Sequence, residues 1–267
     1  MTKDRQAGRG FTLVELLTVI AVIGALAGLL IPSLLYGKFK ARVTTCTNNY
    51  RQFALAAAMY AGADSKGRLP SFELPTESSQ LKGFHNLYPW IVGLPMLKAM
   101  EPYGITQPQM WYCPLRERWK STATSFQSAY GRPMATMDDL AKFFTDFQKS
   151  KYAFTDLNWW VPRHLEGSAA ITYPDALLLP ARLKTPWPSK MEDSTISTRP
   201  ILSDWMTGSK DASGESYSSA SGAHAFGGKI RNINSAYADG HVTTHSSSNI
   251  KWELKLDGGN DDAYIFY

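Results

Sequence analysis

The chain has 267 residues, of which 44% are hydrophobic and 19% charged, and its formal net charge is +5. This composition excludes a disordered or collagen-like chain and supplies enough apolar side chains for a packed core. Six basic and two acidic side chains lie in residues 1–42, whereas the remaining residues are close to neutral. Because phosphate binding needs a concentrated basic surface, we do not expect nucleic acid as a partner.

The first predicted element is an apolar helix. Residues 16–36 contain no charged side chain, and 21 residues are about the length that crosses a bilayer core. Basic residues flank this stretch on both sides, so loop charge does not fix its orientation. A secretory signal peptide and a plain membrane anchor are two interpretations, but neither explains Glu15, because a carboxylate in an apolar segment costs about 2.5–3.5 kcal/mol on insertion. A third interpretation gives this acid a charged partner.

Small residues and a proline mark the same helix. Gly24 and Gly28 fall on one face, a spacing that lets helices approach each other closely. Pro32 lies inside the helical stretch, where it removes one backbone hydrogen bond and is expected to kink or locally melt the helix.

Beyond Pro32 the pattern becomes amphipathic. One apolar stripe with alternating spacings of four and three comprises Phe39, Val43, Cys46, Tyr50, Phe53, Ala57 and Tyr60. The helix is expected to end near Gly62, with this glycine as its C-terminal cap. The sequence therefore predicts one long helix whose second half lies against a globular head.

The head is predicted to be mainly β-structure, with long loops over residues 65–135. A short helix is expected over residues 138–149, with its aromatic side chains in the core. The predicted strands are residues 151–161, 170–179, 198–206, 252–256 and 263–267. Residues 234–244 predict a hairpin whose turn is Asp239-Gly240. The fold class expected is α+β, a long N-terminal helix packed on an antiparallel sheet.

The segment GFTLVELLTVI, residues 10–20, resembles the class III signal of type IV pilins and type II secretion pseudopilins. In that family a prepilin peptidase cuts after the glycine and methylates the new N-terminal phenylalanine. The resemblance therefore implies a cut between Gly10 and Phe11, with Glu15 at the family's acidic fifth position. In a filament, Glu15 would neutralise the amine of a neighbouring Phe11 and fix the axial register.

This resemblance implies three regions and a set of partners. Residues 1–10 would be the leader, 11–62 the helix (11–36 in the membrane or fibre core, 37–62 amphipathic) and 63–267 the head. The expected partners are the prepilin peptidase, identical or homologous pilin subunits, the inner membrane, and an inner-membrane assembly platform with its ATPase. The subunit would span the inner membrane once, with a cytoplasmic N-terminus and a periplasmic head, before it enters a filament.

Two other functions compete with that of a non-catalytic fibre subunit. One is a membrane-anchored enzyme or carbohydrate-binding module carried on a pilin-type stem, since the head is large. The other is a DNA-uptake pilin, against which the nearly neutral head argues.

A second resemblance concerns the head. Residues 46–52 and 60–70 are similar to a motif of large pseudopilin-like proteins common in planctomycete and verrucomicrobial genomes. Their pattern also contains a Cys-Pro pair, here at Cys113. From it we infer a disulfide between Cys46 and Cys113, with two buried thiols as the alternative.

The C-terminal region resembles the H-x9-DG region of the same proteins. Asp239 and Gly240 match it, but 14 residues rather than nine separate His224 from Asp239, which leaves any role of His224 open.

Few residues predict cofactor chemistry. Two cysteines can form one disulfide and cannot form a closed zinc site. An acidic loop offers oxygen ligands suited to Ca²⁺, with a solvated turn as the alternative, and comprises Asp257, Asn260, Asp261 and Asp262. We expect no other cofactor.

Overall fold

The structure is a computed structural model that describes residues 12–74, 89–165, 171–172, 187–207, 221–249, 252–256 and 263–266. The chain divides into two compact units, Met1–Arg42 and Val43–Tyr267. Helix α1 (Leu13–Ala63) is the longest element, with 51 residues.

Two details of α1 differ from expectation. The helix is continuous through Pro32, so the predicted local melting is not seen. The prediction that Gly62 caps the helix is wrong, because Gly62 lies inside its last turn. The chain turns just after the helix instead: the Asp64 carboxylate accepts the Lys66 N–H at 2.8 Å, and Gly67 has φ +62°. The left-handed backbone that favours glycine thus occurs four residues beyond the end of α1.

In the larger unit, the second half of α1 buries the predicted stripe. Its buried members there are Val43, Cys46, Tyr50, Phe53 and Ala57, while Tyr60 is half-buried. The Phe53 ring makes edge-on contacts with Trp111 and Trp159, at centroid distances of 5.0 and 5.2 Å. The amphipathic periodicity is thereby explained, because one helix face supplies the centre of an aromatic core.

The described residues of the larger unit form three further helices and mostly short strands. Its helices are α2 (Leu94–Ala99), α3 (Arg118–Tyr130) and α4 (Met137–Lys142), and a π-helical turn follows at Phe143–Phe147. Single 3₁₀ turns lie at Glu101–Tyr103, Pro108–Trp111 and Ser247–Asn249. The described strands are β1 (Phe72–Leu74), β2 (Ile91–Gly93), β3 (Tyr152–Phe154), β4 (Leu157–Trp159), β5 (Arg163–Leu165), β6 (Ile171–Thr172), β7 (Pro200–Asp204), β8 (Met206–Thr207), β9 (Ser221–Gly222), β10 (His224–Phe226), β11 (Lys229–Tyr237), β12 (Val242–Ser246), β13 (Trp252–Leu256) and β14 (Ala263–Phe266).

A five-stranded antiparallel sheet forms the centre of this unit. Its order is β10-β11-β7-β4, and β12 also pairs with β11. Smaller ladders join β2 to β3, β8 to β9 and β13 to β14, whereas β1 pairs with β5 in parallel and β5 with β6 in antiparallel fashion. A long N-terminal helix followed by antiparallel sheets confirms the predicted α+β, pilin-like fold class.

The strand predictions are confirmed in outline and corrected in detail. Strands β11 and β12 form the predicted hairpin, with Gly240 at φ +94° in its turn. The stretch predicted as one strand over 151–161 is two strands, β3 and β4. Strands β13 and β14 pair with each other in an antiparallel ladder. Of the predicted strand 170–179, residues 171–172 form β6, and the others lie outside the described residues.

The helix predictions need two corrections. Helix α3 lies within the stretch predicted as loops. The predicted helix 138–149 is α4 plus the π-helical turn, and its Phe147 side chain is 51% exposed rather than in the core. Phe143 and Phe144 are buried as expected.

Candidate functional site

The first candidate site is the N-terminal part of α1. Every Val, Leu, Ile and Tyr side chain from Leu13 to Tyr36 is at least 47% exposed. Such a large contiguous apolar surface indicates a membrane or protein interface. Within the described part of the chain, α1 is the one helix that is long and apolar enough to cross a membrane.

Glu15 closes the start of this helix through a reciprocal capping arrangement. The backbone N–H and hydroxyl of Thr12 donate to Glu15 Oε2 at 2.9 and 2.7 Å, and the Glu15 N–H donates to Thr12 Oγ1 at 3.2 Å. This is a capping box, and it satisfies backbone donors at the helix N-terminus. The Thr-x-x-Glu spacing that identifies it is local, and the sequence reasoning overlooked it.

The other assembly residues remain predictions. Gly10 and Phe11 lie outside the described residues. Gly24 and Gly28 lie in α1, and a Cβ added at either would meet nothing within 4 Å.

The second candidate site is a buried polar cluster in the larger unit. It combines Cys46 of α1, Cys113 after the Pro108–Trp111 turn, Asp204 at the end of β7 and His224 at the start of β10. Each residue is at most 2% exposed. Their sulfur, carboxylate and imidazole ligand atoms all lie within 4.8 Å of one another.

Asp204 is the centre of the hydrogen bonds in this cluster. Its Oδ1 accepts the Tyr50 hydroxyl at 2.8 Å and lies 3.7 Å from the Cys46 sulfur. Its Oδ2 accepts the Asn234 N–H at 2.6 Å. Contacts from α1 and β11 hold the carboxylate in one orientation inside the core, where an unpaired acid would be strongly unfavourable.

His224 is oriented by Asn232, its neighbour across the β10–β11 ladder. Its Nδ1 lies 2.6 Å from Asn232 Oδ1, and because the amide oxygen can only accept, Nδ1 carries a proton. The other nitrogen, Nε2, lies 3.3 Å from Asp204 Oδ2. Burial acts to lower the pKa of His224, but the Asp204 carboxylate and the Cys113 thiol outweigh it and raise the pKa to about 9.

Cys113 is held through its backbone. Its N–H donates to Asp156 Oδ2 at 3.3 Å. Oδ1 of the same carboxylate lies 3.3 Å from Arg116 Nε and 3.0 Å from Arg118 Nε, so two guanidinium groups balance its charge. A hydrogen bond with Cys46 and the nearby His224 lower the pKa of the Cys113 thiol, although burial opposes this change.

The structure corrects the interpretation of the cysteines. It brings Cys46 and Cys113 together, and both are free, buried thiols here, which is the alternative to the inferred disulfide. The Cys113 sulfur is also unsuited to attack a substrate, since the residue is only 2% exposed.

Sequence reasoning paired Cys46 with Cys113 and named His224 separately, but it missed that the histidine meets the two cysteines. It did not single out Asp204 or Asn232. Asp204 lies 158 positions from Cys46, so no local pattern relates the two residues.

The remaining predicted residues lie elsewhere. Asp239 and Gly240 form the β11–β12 turn, where the Asp239 carboxylate accepts the His241 N–H at 3.1 Å. The predicted calcium ligands Asp257, Asn260, Asp261 and Asp262 lie outside the described residues.

Comparisons with known proteins point to the first site. Residues 5–31 match the family described as the prokaryotic N-terminal methylation motif. The chain is similar to the type II secretion system core protein G of Pseudomonas aeruginosa, with 26% identity over 108 residues. The match covers 40% of this chain and 61% of that protein, so the chain spans about three-fifths of the relative's length. No solved structure gives a significant match.

Proposed function

We propose that the chain is a member of the type IV pilin and pseudopilin family and a structural subunit of a type IV pilus-like or type II secretion pseudopilus fibre. The observation that carries the proposal is the exposed apolar surface from Leu13 to Tyr36, which contains one acid, Glu15. Covering one such Val, Leu or Ile side chain is worth about 1.5–3 kcal/mol. A bilayer supplies that cover before assembly, and neighbouring helices supply it in a fibre.

The capping box gives Glu15 a role before assembly. Both Thr12 donors bind the same oxygen, Oε2, so the carboxylate is partly satisfied within its own subunit. In the fibre, the amine of a neighbouring Phe11 would bind the other oxygen and convert a capped acid into an intersubunit ion pair. Such a buried pair is favourable in one axial register alone, because any shift would leave a charge unpaired.

The remaining parts of the proposal follow from the family. The prepilin peptidase would cut after Gly10 and methylate Phe11 on the cytoplasmic side, and the head would lie in the periplasm. Subunits would then enter the fibre through an inner-membrane platform driven by its ATPase. The subunit's work is mechanical and not catalytic.

The test replaces Glu15 by Ala in cells that carry the peptidase and the assembly machinery. We expect normal membrane insertion and processing but a loss of fibres, scored by membrane fractionation and by electron microscopy of sheared fibres. Thr12→Ala removes the hydroxyl of the capping box while keeping the acid, so it should retain fibres. Glu117→Ala, an 83% exposed acid of the head, controls for charge. Normal fibres from Glu15→Ala, or equal losses from Thr12→Ala, would contradict the ion-pair mechanism.

A further inference from the structure

We propose that Cys46, Cys113, Asp204 and His224 form a structural Zn²⁺ site in the larger unit. The prediction that two cysteines exclude a closed zinc site considered sulfur ligands alone, and here an imidazole and a carboxylate complete a set of four. The site does not depend on fibre assembly, and none of its residues belongs to the exposed surface of α1.

The donor set selects the metal. Two sulfurs, one imidazole nitrogen and one carboxylate oxygen suit Zn²⁺, whereas Ca²⁺ and Mg²⁺ prefer oxygen ligands alone. Four protein ligands without an open position are typical of structural rather than catalytic zinc. The burial of all four residues agrees with a closed site.

The distances between donor atoms approach those of a tetrahedral site. With Zn–S near 2.3 Å and Zn–N or Zn–O near 2.0–2.2 Å, neighbouring donors in a tetrahedron lie about 3.6 Å (S to O) or about 3.3 Å (N to O) apart. The Cys46 sulfur lies 3.7 Å from Asp204 Oδ1, whereas His224 Nε2 lies 3.3 Å from the other oxygen, Oδ2, so one of these two groups would shift toward the oxygen that binds the metal. No pair of ligand atoms exceeds 4.8 Å, so a modest contraction would complete the polyhedron.

The imidazole is already oriented to bind a metal. Because Nδ1 donates to Asn232 Oδ1 at 2.6 Å, Nε2 is the nitrogen that points toward the cluster, and it would bind the ion once its own proton has left. Within the described part of the chain, Nε2 makes no hydrogen bond of acceptable geometry, although it is completely buried. A buried polar atom without such a bond is unfavourable, and a bound metal ion would satisfy it.

The neighbouring residues hold the other ligands in place. Tyr50 and the Asn234 N–H orient Asp204, and Asp156 orients Cys113 through its N–H. Such outer contacts are typical of metal sites, where they fix ligand orientation. Binding would replace three protons by the metal ion: Zn²⁺ enters, the two S–H protons and the proton on His224 Nε2 leave, both cysteines become thiolates, and no electron is transferred.

A disulfide is the main rival. It would use both sulfurs but would not account for the buried carboxylate and imidazole of Asp204 and His224 beside them. The two states differ in mass, because a disulfide removes two hydrogens whereas a zinc site leaves both thiols intact once the metal is stripped.

The experiment uses the full chain, purified in detergent under reducing conditions without a histidine tag. We expect about one zinc ion per chain by elemental mass spectrometry. Replacement by Co²⁺ should give the sulfur-to-cobalt charge-transfer bands and the intense visible bands of tetrahedral coordination. This wild-type spectrum keeps the proposal testable even if a ligand variant fails to fold.

Variants then assign the ligands. His224→Ala should lose the zinc, and Asn232→Ala, which removes only the contact to Nδ1, should weaken zinc binding about 10- to 100-fold. His241→Ala removes a partly exposed histidine outside the cluster and should leave binding unchanged. The proposal is overturned if wild-type protein supplied with Zn²⁺ holds none, if the Co²⁺ spectrum lacks sulfur bands, or if protein isolated from cells without reductant is two hydrogens lighter.

Discussion

Gly222 is a position where a single added methyl group should strongly destabilise the fold. It lies in β9, pairs with Met206 and has φ +101°. A Cβ added there would lie 2.3 Å from the Trp205 carbonyl oxygen and 2.7 Å from its ring. Real side chains do not approach backbone so closely, so Gly222→Ala must move β9 away from β8.

Two penalties add at this site. A Cβ in left-handed backbone costs roughly 1–2 kcal/mol, and overpacking against fixed atoms costs roughly another 1–3 kcal/mol. We therefore expect Gly222→Ala to lower the free energy of unfolding by about 3 kcal/mol. For a domain of this size that corresponds to a fall in Tm of roughly 6–12 °C. Because His224 follows two residues later, the same change should disturb the buried cluster.

The assay is thermal unfolding of the full chain in detergent, followed by circular dichroism. Gly228→Ala is the matched control, since Gly228 has φ +73° but a Cβ there would meet nothing within 4 Å. This variant should incur only the backbone cost, which lowers the free energy of unfolding by about 1 kcal/mol and Tm by roughly 2–4 °C. Equal shifts in the two variants would refute the reasoning, because the close approach to Trp205 would then have no effect.

Two further changes test the larger unit. Arg132 and the neighbouring backbone N–H groups hold the pKa of Asp139 well below its usual range. The ionised carboxylate therefore stabilises the fold above the unfolded pKa of about 3.9, and this contribution is lost as pH falls through the lowered folded value. Asp139→Asn should cost about 1–2 kcal/mol at pH 7 and progressively less toward pH 2 in urea unfolding; a difference independent of pH would contradict this. Phe53→Ala should cost about 3–5 kcal/mol, whereas Leu55→Ala, 57% exposed on the same helix, should stay within about 0.5 kcal/mol; similar losses would contradict the assigned core.

Local periodicity explains why some elements could be predicted. Helix α1 carries a long apolar run followed by a regular stripe, and both are properties of neighbouring residues. Helix α3 could not be found in this way, because its buried residues are only Thr122 and Phe126 and its sequence has no apolar stripe. Its position depends on what it packs against and not on its own pattern.

The two candidate sites differ in the same way, because one is formed by neighbouring residues and the other is not. The assembly segment is contiguous, so its residues could be selected directly, and even the overlooked Thr12–Glu15 capping box has a local spacing. The buried cluster is assembled from residues far apart in the chain, such as Cys46 and Asp204. The sequence identified both cysteines but offered no means of showing that a carboxylate and an imidazole would complete the set.

The central claim is that the chain is a processed fibre subunit, and the mature N-terminus tests it most directly. Intact-mass and peptide mass spectrometry of the protein isolated from its membranes or fibres should find residues 1–10 absent and Phe11 as a methylated first residue. An intact Met1, or a first residue that follows a cut after Ala27, would contradict the account.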